Sequence, residues 1–437
     1  MVGIDFGTTN SAIAEIGTDG RIHLVEFPSA AGLISTYRSL LYLEQSKAKG
    51  RTQLHSWSGA EGIERYLAAD PKGRLIQSLK SYLSSRTLSG TEVFGRMQQL
   101  EDLIARILGD LRAHAERHFG HTVREATVGR PVRFVGAGSS ADDDFSLDRL
   151  RDAFTRAGFT HVEFEFEPVA AAWHYASTLR REELVLIGDF GGGTSDFSLL
   201  RLRPEASSSL QRAELLATSG VGLAGDAFDA RLIRHLVSPH LGAGSLERSG
   251  NKTLVAVPAW VYARLEHWHH LSFLRTRAVS EMLRAARVRA FEPEKIGALS
   301  ELIEADLGYQ LHQSVQRTKI KLSSSETADF SFNQHGIRLH APVTRTEFES
   351  WIAPDLAAIE GAVAELMKAS GLPDDAVNRV FLTGGTSFVP AVRRIFELRF
   401  GSERVITGDE FTSVASGLAL RAEASRSTVA PRATINI

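Results

Sequence analysis

Cysteine is missing altogether from this chain of 437 residues. That excludes disulfides, thiolate metal sites and a thiol nucleophile. An excess of charge of either sign is missing too. Fifty basic residues against 52 acidic ones leave a net charge of −2, which gives neither nucleic acid nor an anionic membrane a reason to bind. No apolar run approaches the roughly twenty residues of a membrane-spanning helix. The sequence passes from Met1 straight into Val2-Gly3-Ile4-Asp5, without the basic and then apolar stretch of a secretory leader. A cytoplasmic protein with no nucleic-acid and no membrane partner is therefore expected. Hydrophobic residues make up 43%, enough for a large core, and the length suits two or three domains.

The chain also contains a repeat. "VGIDFGTTNSAIAEI" at Val2–Ile16 and "LIGDFGGGTSDFSLL" at Leu186–Leu200 share an order of features. Each has an apolar approach, Asp-Phe-Gly, a glycine or threonine turn, a polar residue and an alternating apolar run. Two such segments point to an internal duplication.

The coarse pattern alternates strands and helices. Val2–Ile16 and Arg21–Phe27 are expected as strands joined at Thr18-Asp19-Gly20. Met97–Phe119 is expected as an amphipathic helix, with Leu100, Leu103, Ile104, Ile107, Leu108 and Leu111 at helical spacing and Gly120 as its stop. Further strands are expected at Glu125–Val135 (interrupted by Pro131), Val162–Phe166, Val185–Asp189, Phe197–Arg203, Ala213–Thr218 and Val377–Thr383. Helices are expected at Leu147–Ala157, Val169–Ser177, Asp226–Val237, Ala278–Phe291, Pro293–Ser323, Val389–Phe400 and Ser413–Ala424. Asp142–Asp144 is expected as an exposed loop, Ser238–Lys252 as a Gly/Ser-containing loop and 426–437 as a tail. The class is α/β, with two similar lobes facing a cleft.

The chemistry follows from the turns. Gly7 and Gly191, Gly192 and Gly193 let backbone N–H groups approach an anion with no Cβ in the way. Thr8, Thr9 and Thr194 add hydroxyl donors. Asp5 and Asp189, at strand ends, are acceptors suited to a hydrated magnesium ion, which keeps several waters and takes one or two carboxylates. The pair would make a two-sided clamp for a polyphosphate and its metal. Either turn alone is equally well read as a plain tight turn. The pair, with a third motif "FLTGGTSFVP" at Phe381–Pro390, favours the clamp.

On these motifs, and on "EFEPVAAAWHYA", "GLAGDAFD" and "QRTKIKLSSS" in the same order, the chain resembles the ATPase domain of the DnaK-type heat-shock chaperones, within the actin and sugar-kinase superfamily. Glu167-Pro168-x-Ala170-Ala171 separates this family from the sugar kinases. "TVGRPV" and the lack of a C-terminal half point to a short, YegD-like branch. The resemblance implies two actin-like (ribonuclease H-like) lobes around a nucleotide cleft: 1–180 completed by 408–425, and 181–407 with a helical insertion around 238–323. It implies ATP or ADP with Mg²⁺ as ligands, and a protein partner or client. Thr8, Thr9, Gly192, Gly193 and Thr194 would contact phosphates, with Gly7, Asn10 and Gly191 in the same turns. Asp5 and Asp189 would hold the metal's water shell. Glu167 would lie near the attacking water, and Asp196 would be an acidic neighbour. Lys80 in "SLKSYL" would neutralise charge developing on the γ-phosphate. Lys80 otherwise reads as an exposed lysine and Glu167 as a carboxylate favoured by a helix N-terminus.

On the nucleoside side the resemblance places Gly225, Lys319, Ser323, Gly384 and Gly385, with Thr386 beside them. Gln316 stands for a usual glutamate. Ile320 and Phe388 stand where the family has two arginines that sandwich the adenine, so weaker base selectivity is expected.

Other signals weigh less. Gly220 to Gly225 fits a dinucleotide turn only as a bare pattern. Near Ser249, Asn251 occupies the place of a Walker lysine. His267, His269 and His270 read as a polar helix face sooner than a metal site. Arg275, Arg277, Arg284, Arg287 and Arg289 read as a solvated face. The resulting expectation is a nucleotide switch with slow ATP hydrolysis. Two alternatives remain open: a non-catalytic nucleotide-binding scaffold, and a small-molecule kinase of the same superfamily.

Overall fold

The fold was obtained as a computed structural model, which describes residues 1–29, 32–48, 51–69, 73–176, 179–204, 213–249, 252–267, 271, 274–407 and 413–429. Two compact units divide the chain. The first comprises Met1–Gly222, Gly361–Ser387 and Phe396–Ile437, the second Leu223–Glu360 with Phe388–Ile395.

The first unit is built on two mixed sheets. In one, β1 (Val2–Phe6), β2 (Asn10–Ile16), β3 (Ile22–Leu24), β4 (Glu125–Arg130) and β5 (His161–Phe166) lie in the order β5-β4-β1-β2-β3, with the short Tyr37–Arg38 strand also on β2. In the other, β6 (Glu183–Phe190), β7 (Ser195–Leu202), β8 (Ala213–Val221), β9 (Arg379–Thr383) and β10 (Val405–Thr407) lie in the order β8-β7-β6-β9-β10. Each sheet has a central antiparallel hairpin, a third strand antiparallel to it, and two parallel strands on the other side. The repeated sequence thus yields a repeated topology. The helix Glu167–Ala176 follows β5 and Ser413–Val429 follows β10, so the repeat extends to the closing helices. These two helices pack together through Ala170, Val414 and Leu418.

The strands form where apolar residues run without interruption, because both faces of a central strand are covered. In β1, Val2, Gly3, Ile4 and Phe6 are buried, and Asp5 keeps some accessible surface. In β6 only Leu184 and Asp189 do so. The helix Leu100–Phe119 buries Leu100, Leu103, Ile104, Ile107, Leu108, Leu111 and Ala115 against the first sheet, and ends at Gly120 with φ +74°.

Several expected bounds are corrected. The helix begins at Leu100 and not Met97, because Arg96–Gln99 pairs with Gly90–Val93 as a hairpin. The next helix starts at Ser140, not Leu147, because the Ser139 hydroxyl caps it by accepting from the Asp142 N–H. Asp142–Asp144 therefore lies within the helix and not in an exposed loop, with Asp142 and Asp143 in the first turn, where carboxylates suit the dipole. Asp143 is buried and accepts the Phe134 N–H at 2.8 Å. The strand expected to Val135 stops at Arg130, before Pro131. The strand expected at Arg21–Phe27 is only Ile22–Leu24, and Phe27–Ser29 pairs instead with Gly32–Ile34. Asp226–Val237 is α-helical from Gly225 to Leu232 and π-helical from Ile233 to Val237. Pro293–Ser323 is two helices, Pro293–Glu304 and Gly308–Ser324, divided where Asp306 takes φ +53°. The expected loop at Ser238–Lys252 contains a 3₁₀ turn, Ser238–Leu241, and a strand, Leu246–Ser249, that pairs with Lys252–Val255. That hairpin also removes the Walker reading. The last helix continues to Val429, into the expected tail; residues 430–437 lie outside the described ones.

Within the second unit, several of the arginines of the basic stretch are paired. Arg277 meets Glu281 at 2.7 Å, Arg289 meets Glu247 at 3.2 Å and Arg275 meets Asp306 at 3.3 Å. His269 and His270 lie outside the described residues, as does the segment 408–412. Among the described residues no helix is long and apolar enough to cross a membrane.

Candidate functional site

In the first unit the expected phosphate and metal residues occupy corresponding places. Gly7, Thr8 and Thr9 form the turn between β1 and β2, and Asn10 opens β2. A Cβ on Gly7 would lie 2.1 Å from the Asn10 carbonyl oxygen, so only glycine closes this turn. The Asn10 side chain accepts from Arg38 at 3.1 Å. Gly191, Gly192, Gly193 and Thr194 form the turn between β6 and β7, closed by Gly191 N–H donating to the Thr194 carbonyl at 2.9 Å. Gly384 follows β9 with φ +83°, and a Cβ there would sit 2.0 Å from the Phe190 carbonyl oxygen. Gly385 and Thr386 continue into a 3₁₀ turn that ends at Phe388.

Lys80 lies in a 3₁₀ turn, Leu79–Tyr82, whose preceding residue, Ser78, holds the left-handed conformation at φ 58°. It is buried, at 8% exposure, and not the exposed lysine of the alternative reading. Its ammonium donates to Glu167 Oε1 at 2.7 Å. Glu167 opens the helix after β5. Arg149, itself buried, pins the segment that follows the lysine. Its guanidinium donates to the carbonyls of Leu83, Ser85 and Leu88 at 3.2, 3.1 and 3.2 Å, and pairs with Glu101.

Around this ion pair are three aspartates. Asp5 is the penultimate residue of β1, and Asp189 and Asp196 are direct cross-strand partners on β6 and β7. Two carboxylates placed opposite each other cost stability. Burial, then the Glu167 carboxylate, push the Asp5 carboxyl up to about 8, with the Lys80 charge opposing. Burial and then Glu167 raise Asp189 to about 6. Burial and then Asp189 raise Asp196 to about 7, although the Thr194 hydroxyl bonds to it. Burial alone would lower the Lys80 ammonium, but Glu167, Asp5 and Asp189 more than offset that and hold it above its ordinary value.

One lysine for four carboxylates leaves acceptor capacity that a cation would satisfy. Among the described residues no three His, Cys, Asp or Glu side chains form a group for direct metal coordination. The set therefore fits a hydrated divalent ion held through one or two carboxylates, as magnesium is, and does not fit a dehydrated cage.

The expected nucleoside residues belong mainly to the second unit. Gly225 starts the helix Gly225–Leu232. Gln316, Lys319, Ile320 and Ser323 lie on one face of Gly308–Ser324, at helical spacing. Lys319 donates to the Gly225 carbonyl at 3.0 Å and pairs with the fully buried Asp229 at 2.8 Å. His312 approaches the other Asp229 oxygen at 3.5 Å. Ile320 is 67% and Phe388 53% exposed. The dinucleotide-like run Gly220 to Gly225 spans the end of β8 and the first residue of that helix.

Motif reading passed over Arg38, Asp229, Arg149 and Thr383. Thr383 donates its hydroxyl to Asp189 Oδ1 at 2.8 Å. The signal available for it was a hydroxyl residue closing the apolar run Val380-Phe381-Leu382 just before Gly384.

Comparison with known proteins follows the same lines. The model of the Hsp70 protein family matches residues 78–255 and 303–432. A chaperone protein DnaK of Thermotoga petrophila is 25% identical over 97% of this chain and 59% of its own length. One of Thermus thermophilus is 26% identical over 96% of this chain and 60% of its own. The chain thus spans about 60% of the length of these relatives. The mixed α/β architecture is that of the two-lobed, actin-like Hsp70 ATPase domain. On the family match and on the motifs that carry it, the chain belongs to the Hsp70 family.

Proposed function

We propose that the protein binds Mg-ATP and hydrolyses it slowly as a conformational switch. One observation carries this reading. The buried Lys80–Glu167 pair stands among Asp5, Asp189 and Asp196, at the ends of two topologically equivalent glycine-threonine hairpins. Backbone N–H groups of the two turns, with the Thr8, Thr9 and Thr194 hydroxyls, would receive the phosphates. Lys80 would neutralise charge as it develops on the transferring phosphoryl group, and Glu167 would orient the attacking water. A bound magnesium ion would supply charge neutralisation, its water shell accepted by Asp5 and Asp189. Gly225, Gln316, Lys319, Ser323, Gly384 and Gly385 would take the ribose and base, with Ile320 and Phe388 covering the base by apolar contact. The matching topology of the two sheets supports two lobes divided near residue 180. A protein partner or client belongs to the same proposal.

The test is calorimetry with Mg-ATP, Mg-ADP and Mg-GTP, followed by single-turnover hydrolysis. Binding heat that Asp189→Ala weakens supports the reading. No heat and no thermal shift with Mg-ATP refutes it. Binding without turnover transfers the assignment to a scaffold.

A further inference from the structure

We propose that Thr383 is a positioning residue for Asp189, fixing which carboxylate oxygen is left to face a cation's water shell. The inference rests on the function proposed above. Asp189 has a neighbour in register on each side. On β7 it is Asp196, a second carboxyl that repels it wherever both are ionised. On β9 it is Thr383, whose hydroxyl donates to Oδ1 at 2.8 Å. A carboxylate turns readily about its last bond. The Thr383 hydroxyl gives it one preferred setting, with Oδ1 held toward β9 and Oδ2 free of that bond.

Three features of β9 make this more than a hydroxyl in need of a partner. Between Arg379 and Thr383 the strand is apolar, with Val380 and Leu382 buried, so valine would satisfy its packing equally well. Thr383 is itself buried, so water does not compete for the hydroxyl. The backbone beyond it has no slack, because Gly384 sits against the Phe190 carbonyl where no side chain fits. The donor is thus set at a fixed distance from a group that would be the metal-side acceptor. Partners of this kind orient ligands without touching the ion.

Thr383→Val keeps the shape and deletes the donor; Thr383→Ser keeps the donor. Three quantities are measured on the full chain: the Mg²⁺ concentration for half-maximal ADP binding, ADP affinity in EDTA, and the unfolding temperature. Thr383→Val should raise the Mg²⁺ requirement roughly tenfold, the lower end for such partners, and leave ADP affinity in EDTA unchanged. Thr383→Ser should restore the wild-type requirement. A wild-type Mg²⁺ requirement in Thr383→Val overturns the inference, as does an equal loss with and without Mg²⁺, which marks a structural role. If the valine variant does not fold, Thr383→Ala against Thr383→Ser decides in the same way. Wild-type protein that fails to bind Mg-ADP at all would instead sink the nucleotide reading on which the inference rests.

Discussion

Binding of Mg-ADP should expel protons from the three aspartates, by an amount that depends steeply on pH. In the free protein Asp5 is raised to about 8, Asp196 to about 7 and Asp189 to about 6. At pH 7 Asp5 is then mostly protonated, Asp196 half protonated and Asp189 mostly ionised. A divalent cation that draws all three into the ionised form should release about 1.5 protons at pH 7 and about 0.1 at pH 9. The assay is calorimetry of preformed Mg-ADP into protein, in buffers of differing ionisation enthalpy, where the slope of heat against that enthalpy counts protons. Asp5→Asn should remove most of the release at pH 7, and Asp196→Asn about a third of it. The same shifts fix the sign of the stability profile without ligand. These carboxyls hold protons more tightly folded than unfolded, so their contribution to stability is fully present below about pH 4 and is lost as pH rises through the window up to about 8. Saturating Mg-ADP should flatten that fall. Tight binding with no proton release at pH 7 would refute the electrostatic account of the site.

Lys80→Ala should lower single-turnover hydrolysis by about 10²–10³-fold while sparing ADP affinity, since the charge acts as the phosphoryl group leaves; equal loss of ATP and ADP binding would make the lysine structural. Arg149→Met removes the donor to four carbonyls, those of Tyr82, Leu83, Ser85 and Leu88, and strands Glu101, and should cost about 3–5 kcal/mol in urea unfolding. Unchanged stability would mean that the clamp on the Lys80 segment carries no weight. Ile320→Arg with Phe388→Arg should tighten ATP by about tenfold or more, and ATP more than GTP, from cation–π contacts of about 0.5–2 kcal/mol each. Equal tightening of bare triphosphate would show that the new charges meet phosphates and not the base.

The hairpins were legible because each rests on local chemistry: an apolar run, an aspartate at its end and a turn that tolerates only small residues. The helix Leu100–Phe119 was legible for a like reason, its buried side chains recurring at the helical period. Its first turn was misplaced because Met97 looks apolar, yet Arg96–Gln99 is claimed by a hairpin partner. The hairpin Thr327–Gln334 with Ile337–Thr344 was not among the expected elements, although its residues alternate almost strictly between exposed and buried. It carries no motif, and alternation in mixed polar sequence is a weak signal. The break at Asp306 was hidden because a single left-handed residue leaves the apolar period on both sides intact.

The identity of the two aspartates, the glycine-threonine turns and the duplicated strand pattern are written in consecutive residues, and the chain needs no distant neighbour to specify them. The charge state of the site is another matter. Lys80 meets Glu167 across 87 residues and Thr383 meets Asp189 across 194. Burial, pairing and the opposition of Asp189 to Asp196 exist only once the sheets have formed. A carboxylate's proton affinity is a property of its surroundings, and these surroundings are assembled from segments that no local stretch of the sequence contains.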